Sequence, residues 1–350
     1  RNIRKGKYNM SEKTFKRNVR IAVSSVCNLD CVYCEGNKGY RKDKMGAMED
    51  FRRTPLSQGN ITYEELMSLL KVFKKVGFTG VTLTGGEPLL NKNWDKIIEN
   101  AHKIGFERNE ITTNGILLGK YFNEKGKMPE GLSLVKVSFD TIDEKKFKEE
   151  TGGGNLSTVI ESVKTVSPYI TVRANKVMLR EDLNTLKEYL EKCKEIGFDE
   201  VILLDLVMYP NRNDEKDIKF FKEQYVPYNE LLSELKKINN IEFKRNKYGH
   251  SAVMENGLKI ILKDSNLTLR DEQCENCPLY CQEGKFTVRV ATDGNITMCP
   301  DYRAELVSIN GLEELKNGKL ESKLKKLFDS LNNSNEYETI DKFKEKHNLL

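Results

Sequence analysis

Three cysteines stand within eight residues, in Cys27-Asn28-Leu29-Asp30-Cys31-Val32-Tyr33-Cys34. Thiolates at such short spacing converge on one point and can hold one face of an iron–sulfur cluster, which usually takes four cysteines. Three ligands leave one iron with an open position, as a catalytic metal requires. A structural zinc loop is the alternative use of the same thiols. A second group lies near the far end, Cys274, Cys277 and Cys281 as CxxCxxxC, then Cys299. Four thiolates can ligate a second cluster completely, or build a zinc ribbon. Cys193, the last of the eight cysteines, sits alone in a helical pattern and reads as a small core residue. A disulfide scaffold would instead spread its cysteines through a short secreted chain.

The second chemical motif is Thr84-Gly85-Gly86-Glu87-Pro88. Two glycines let backbone approach a ligand closely. Glu87 offers a carboxylate for an ammonium group, and Pro88 stiffens the exit. Alone, a Gly-Gly turn is a weak signal. Its weight comes from its place, one β-then-α unit after the cysteines.

The elements that must position these residues alternate. Strands are expected at Val19–Ser25, Phe78–Thr84, up to Thr113, Leu132–Phe139, Tyr169–Leu179 and Glu200–Leu206. Thr62 and Glu65 form a capping box, and Leu66, Leu69, Leu70 and Phe73 follow at helical spacing. Further helices are expected at Asn93–Ile104, Asn155–Val166 and Leu183–Ile196. The pairs Gly77-Phe78, Gly105-Phe106 and Gly197-Phe198 each close a helix and open a buried strand. About six such units predict a parallel sheet with helices outside it, an open partial (β/α)6 barrel. Chemistry then gathers at the C-terminal ends of the strands.

The pattern changes after Pro210. Residues 212–240 read as charged helix. Strand-like alternation over Ile241–Leu262 carries an Asn256-Gly257 turn, and Asp293-Gly294 turns a second hairpin. The expected organisation is an extension over 1–18, the barrel over 19–210, a smaller α+β region over 211–311 and a helical tail over 312–350.

Composition bounds the rest. The chain has 350 residues, 32% of them charged, and a net charge of +5. It is long enough for a sizeable core. The mild charge admits an anionic substrate or an acidic protein partner and does not imply nucleic acid. The longest apolar run, Val201 to Tyr209, is broken by Asp205. No membrane span and no secretory signal are expected, and the location expected is the cytoplasm.

CxxxCxxC followed by GGEP resembles the shared motif pair of the radical S-adenosylmethionine (radical SAM) enzymes. The resemblance implies that Cys27, Cys31 and Cys34 hold a four-iron four-sulfur cluster whose open iron binds the amino and carboxylate groups of SAM. One electron then cleaves SAM, and the resulting 5′-deoxyadenosyl radical takes a hydrogen atom from substrate. Such a cluster needs an electron donor of flavodoxin or ferredoxin type. Within the family the chain is most similar to the GTP cyclase of molybdenum-cofactor biosynthesis and its relatives. Arg20, Thr112-Thr113-Asn114-Gly115, Val137-Ser138-Phe139-Asp140, Arg173-Ala174-Asn175 and the C-terminal cysteines carry that likeness. It implies that Gly85, Gly86, Glu87 and Pro88 hold the methionine end of SAM. Thr112, Ser138 and Asn175 line the rest of that site. Ordinary strand-end capping is the other reading of Thr112 and Ser138. The C-terminal cysteines resemble an auxiliary four-iron cluster of SPASM and twitch domains.

The likeness fails at the substrate contacts. The cyclases carry two basic residues on the strand before GGEP, and here these positions are Gly80 and Thr82. Asn91 stands where a basic residue follows GGEPL. Of two hairpin arginines only Arg289 is kept, with Thr287 at the other position, and Cys281 is extra. The chain ends Asn348-Leu349-Leu350, without a Gly-Gly tail. Arg20, Arg173 and Arg289 remain as substrate candidates. The expectation is a twitch- or SPASM-type radical SAM enzyme acting on a sugar, nucleoside or peptide rather than GTP. A GTP cyclase with altered contacts and a non-catalytic iron–sulfur or zinc protein are the alternatives. The charged segment Lys38 to Asn60 is long enough to cover a substrate.

Overall fold

The computed structural model describes residues 17–31, 61–206, 215–238, 241–246, 249–264, 287–298 and 308–332. Cys34, Cys274, Cys277, Cys281, Cys299 and the 38–60 segment lie outside them.

The sheet is built from β1 (Asn18–Ser24), β2 (Gly80–Gly85), β3 (Arg108–Thr113), β4 (Leu132–Ser138), β5 (Val172–Val177) and β6 (Glu200–Leu204). These strands lie side by side in chain order, and every neighbouring pair is parallel. Helices cross between them: α1 (Tyr63–Val76), α2 (Trp94–Ile104), α3 (Leu118–Lys125), α4 (Glu144–Glu150), α5 (Leu156–Val166) and α6 (Leu186–Ile196). This is an open partial (β/α) barrel, as the alternating pattern predicts.

The later residues extend the same sheet on both edges. After α7 (Glu215–Gln224) and α8 (Tyr228–Lys237) come β7 (Lys244–Asn246), β8 (Gly249–Val253) and β9 (Lys259–Lys263). β9 joins β6 in parallel, and β8 and β7 continue the sheet antiparallel. On the other edge β10 (Val288–Val290) joins β1 in parallel. β11 (Asn295–Thr297) and β12 (Ile309–Asn310) follow antiparallel. Gly257 and Gly294 take positive φ in the two expected hairpin turns. α9 (Gly311–Lys316) and α10 (Leu320–Asn332) close the chain's described part.

Each Gly-Phe pair closes its helix in the same way. Gly77, Gly105 and Gly197 take left-handed φ of 104°, 102° and 111°. The next amide reaches back to the last turn: Phe78 N–H donates to Phe73 O, Phe106 to Ala101 O and Phe198 to Cys193 O. All three aromatic rings are buried and nucleate the core between sheet and helices. Cys193 is in that core as expected, and burial pushes its thiol up to about 12. The helix expected at Leu183–Ile196 divides: a 3-10 turn over Arg180–Thr185 precedes α6. α3 and α4 lie in stretches that the sequence left unassigned.

Alternation sorts each strand into two faces. Val19, Ile21, Val81, Leu83, Ile111, Val135, Val137, Val172, Ala174 and Val201 enter the apolar core. The opposite, inner face carries Arg20, Thr82, Glu110, Thr112, Lys136, Ser138, Arg173, Asn175 and Glu200. It is this polar face that bears on function.

Candidate active site

The cysteine segment leaves the C-terminal end of β1 and is held there by the backbone of the GGEP turn. Gly86 N–H donates to Ser24 O at 2.7 Å, and Glu87 N–H to Val26 O at 2.8 Å. The two chains are so close that a Cβ on Gly86 would strike the Val26 carbonyl, and one on Gly85 the Ser24 carbonyl. Gly85 also has φ of +136°, which L side chains rarely adopt. The glycines therefore bring GGEP against the segment that carries Cys27. Asn91 Nδ2 adds a bond to Val23 O at 2.7 Å.

Glu87 turns inward. It is 1% exposed, and its carboxylate accepts from Leu89 N–H (3.0 Å), Thr113 Oγ1 (2.7 Å) and Asn114 N–H (2.8 Å). Burial holds its pKa above the ordinary carboxyl value, although these three donors lower it in part. The carboxylate thus ties the GGEP turn to the Thr112–Gly115 loop. Three donors leave acceptor capacity on Oε2, while the turn's backbone lies against the cysteine segment.

The Thr112–Gly115 loop also reaches the cysteines. Asn114 Nδ2 donates to Asn28 Oδ1 at 2.7 Å and lies 3.8 Å from Cys27 Sγ. On the far side, Asp30 N–H donates to Thr151 O at 3.1 Å. Gly152 follows with φ of +69°, where a Cβ would stand 2.6 Å from Asp30 O. Residues 27–31 are clamped between two loops, one from β3 and one from the end of α4. Cys27 and Cys31 are both half-buried.

Below this rim the inner face is charged. The register sets Arg289 beside Arg20, Arg20 beside Thr82, and Thr82 beside Glu110. It also sets Thr112 beside Lys136, Lys136 beside Arg173, and Arg173 beside Glu200. Glu110 is 2% exposed and takes Lys136 Nζ, Arg108 Nη2 (2.6 Å) and Thr82 Oγ1 (3.1 Å). Glu200 takes Arg173 through Nε (2.7 Å) and Nη2, and Lys259 Nζ at 2.8 Å. Burial, with Arg20 and Arg173 nearby, lowers the Lys136 pKa to about 8, although Glu110 holds it up. The cations around Glu200 keep its carboxyl below the ordinary range.

Thr112, Ser138 and Asn175 come together near the C-terminal ends of β3, β4 and β5, where Ser138 pairs with Asn175 in register. Thr112 Oγ1 is buried and takes no hydrogen bond among the described residues. A buried hydroxyl left so calls for a partner that the described residues do not supply. That argues for ligand lining over strand-end capping. The tight glycine turn, the two half-buried thiols and this hydroxyl fit a thiolate-held cluster with a polar organic cofactor beside it.

The match to known proteins agrees. Residues 21–223 match the model of the radical SAM superfamily. The chain belongs to the radical SAM superfamily. Among curated radical SAM relatives, a probable GTP 3′,8-cyclase of Archaeoglobus fulgidus is 34% identical over 59% of this chain and 67% of its own length. One of Methanococcus maripaludis is 26% identical over 86% of this chain and 90% of its own. Two solved structures share the fold. Streptococcus suis SuiB bound to S-adenosylmethionine has a TM-score of 0.56 at 17% identity, over 87% of this chain. The chain spans 66% of SuiB's length. Native anSMEcpe with bound AdoMet has a TM-score of 0.55 at 16% identity, over 91% of this chain and 84% of its own.

Several supporting residues escape a reading of the sequence. Asn114 was legible only as part of TTNG. The run Gly152-Gly153-Gly154 is a visible signal, since three glycines rarely serve a helix end alone. Lys136, Glu110 and Glu200 carried no signal, because polar residues alternating with valines read as a solvated face. Arg20, Arg173 and Arg289 all stand at inner-face register positions, and Arg173 is bound to Glu200.

Proposed function

We propose that this radical SAM enzyme cleaves SAM reductively and abstracts hydrogen from a polar substrate other than GTP. Cys27, Cys31 and Cys34 would hold the SAM cluster, and a flavodoxin- or ferredoxin-type protein would reduce it. When bound, that cluster and SAM supply the electron and the hydrogen-abstracting group. The chain's own residues position and shield. Gly85, Gly86 and Pro88 bring backbone to the methionine end of SAM, and Glu87 fixes that turn from behind. Thr112, Ser138 and Asn175 border the remainder. Cys274, Cys277, Cys281 and Cys299 would carry an auxiliary cluster. The observation that carries the reading is the backbone seam between Gly85–Glu87 and Ser24–Val26, which joins the two family motifs into one site.

The test is anaerobic. Reconstituted protein with dithionite and SAM should release 5′-deoxyadenosine. The variant with Cys27, Cys31 and Cys34 replaced by Ala should release none, yet keep about four irons per chain on the C-terminal cysteines. Undiminished release from that variant would sink the assignment, and one zinc without iron would make the second group a ribbon.

The second reading, a GTP cyclase, is favoured by the curated relatives and opposed by the strand before GGEP. Gly80 has no room for a basic side chain: a Cβ there would lie 2.7 Å from Asn18 Oδ1 and 3.2 Å from Arg108 O. Thr82 is committed to Asn18 and Glu110. Charge-assisted bonds to phosphate are worth about 1.5–3 kcal/mol each, and two are missing here. Incubation with GTP and SAM should therefore yield no cyclised purine by chromatography. Its appearance above background would restore the cyclase.

A further inference from the structure

We infer that Glu110 and Glu200 set the charge that the barrel accepts: by holding Lys136 and Arg173 in ion pairs, they turn away a triphosphate. This deepens the reading above and rests on it. The missing cations on β2 concern what the barrel lacks. The ion pairs concern cations that it has and keeps occupied.

Both cations stand on the inner face, side by side in the register of β4 and β5. Converging cations at that place would make a phosphate site if they were available. They are not. Arg173 gives a two-point grip to one Glu200 oxygen, while Lys259 holds the other. Lys136 is 11% exposed in its side chain and Glu110 2%, so that pair is shielded from water. A triphosphate drawing on Lys136 and Arg173 would have to pull both away, leaving Glu110 to Arg108 and Thr82 and Glu200 to Lys259, close to its own negative charge in a place with little solvent. A buried carboxylate that loses one of its cations next to a second anion opposes binding. Arg20 and Arg289 sit at the next register positions, on the other side of Thr82 and Glu110. Specificity then comes from a built-in repulsive element as much as from attraction.

The test uses the cluster-loaded enzyme and inorganic tripolyphosphate, with GTP as a second probe, by equilibrium dialysis. Wild type should show no saturable binding below millimolar concentration. Glu200→Gln should bind tripolyphosphate at least tenfold more tightly, about 1.4 kcal/mol, and so should Glu110→Gln. Glu200→Asp, which keeps the charge, should bind as weakly as wild type. Glu110 is the more buried hub, so if Glu110→Gln fails to fold the Glu200 pair of variants decides alone. Tight binding by wild type would overturn the inference. So would Gln variants that bind no better than wild type, and that result leaves the 5′-deoxyadenosine test of the proposed function standing.

Discussion

Glu150 ends α4, next to the threonine whose carbonyl holds Asp30. Burial raises its carboxyl to about 7, opposed by Lys146 and Lys176 and helped by Asp140 and Asp182. Its folded pKa thus lies above the ordinary value of 4.5. Below about pH 4.5 the group is protonated in both states, and its full contribution is present. Between about 4.5 and 7 only the folded state keeps the proton, so stability falls as pH rises. Above about 7 the loss is complete. At about 1.4 kcal/mol per unit, and discounting for partial exposure, the loss is about 1–2 kcal/mol. Glu150→Gln should remove this slope and leave the protein more stable than wild type at pH 8 by about that amount. Urea denaturation at pH 5 and pH 8 checks it, and parallel pH slopes in the two proteins would contradict it. At this scale, sequence reading was uneven. It singled out Cys27, Cys31 and the glycines, because their types are chemically rare. It did not foresee that Glu87 ties the turn to the Thr112–Gly115 loop, because a carboxylate in a motif says nothing about which way it turns.

The β2–GGEP turn is the element on which the site depends. Gly86 has no room for even a methyl group, since the obstacle is Val26 backbone and the adjoining Cys27 nitrogen rather than a movable side chain. Gly86→Ala should push the turn off the cysteine segment. We expect at least half of the iron bound at Cys27, Cys31 and Cys34 to be lost, measured in a background lacking the C-terminal cysteines. Secondary structure by circular dichroism should stay unchanged, because the sheet's other seams are intact. Full iron retention would show that the seam does not position the ligands. The elements themselves were legible where local chemistry fixes them. Thr62 and Glu65 make the capping box that the pattern announces. α4, by contrast, has the sequence EKKFKEE, with Phe147 its sole buried residue. A single aromatic gives no periodicity, so tertiary packing and the Asp143 cap define it. The charged inner face was illegible for a related reason. Alternation shows that two faces differ, not that the polar one encloses a cavity.

On the scale of the molecule, the twelve strands among the described residues form one continuous sheet, and the last described helices pack on α1 and beside β11 and β12. α10 packs against α1 through Leu320 and Leu324, each 1% exposed. Phe328 packs on Phe78 in a tilted pair, centroids 5.8 Å apart, and lies under the Arg17 guanidinium at 5.2 Å. Lys75 and Glu321 pair across the outside, an exposed contact worth little by itself. Phe78 is also the aromatic that closes α1 and opens β2, so the tail bears on the strand that leads into GGEP. Removing the two leucine side chains should therefore loosen the site from a distance. A buried Leu→Ala change costs about 2–5 kcal/mol. The two are neighbours on one helix face, so their costs will not simply add. A loss of about 4–7 kcal/mol for Leu320→Ala with Leu324→Ala is expected, a large share of the roughly 5–15 kcal/mol that holds a typical domain. Chemical denaturation of the double variant should show it. Hydrogen exchange should rise in α1 and β2 and stay near wild type in β5 and β6, on the sheet's other side. Equal protection in α1, with stability within about 1 kcal/mol of wild type, would mean that the tail rests on the barrel without supporting it.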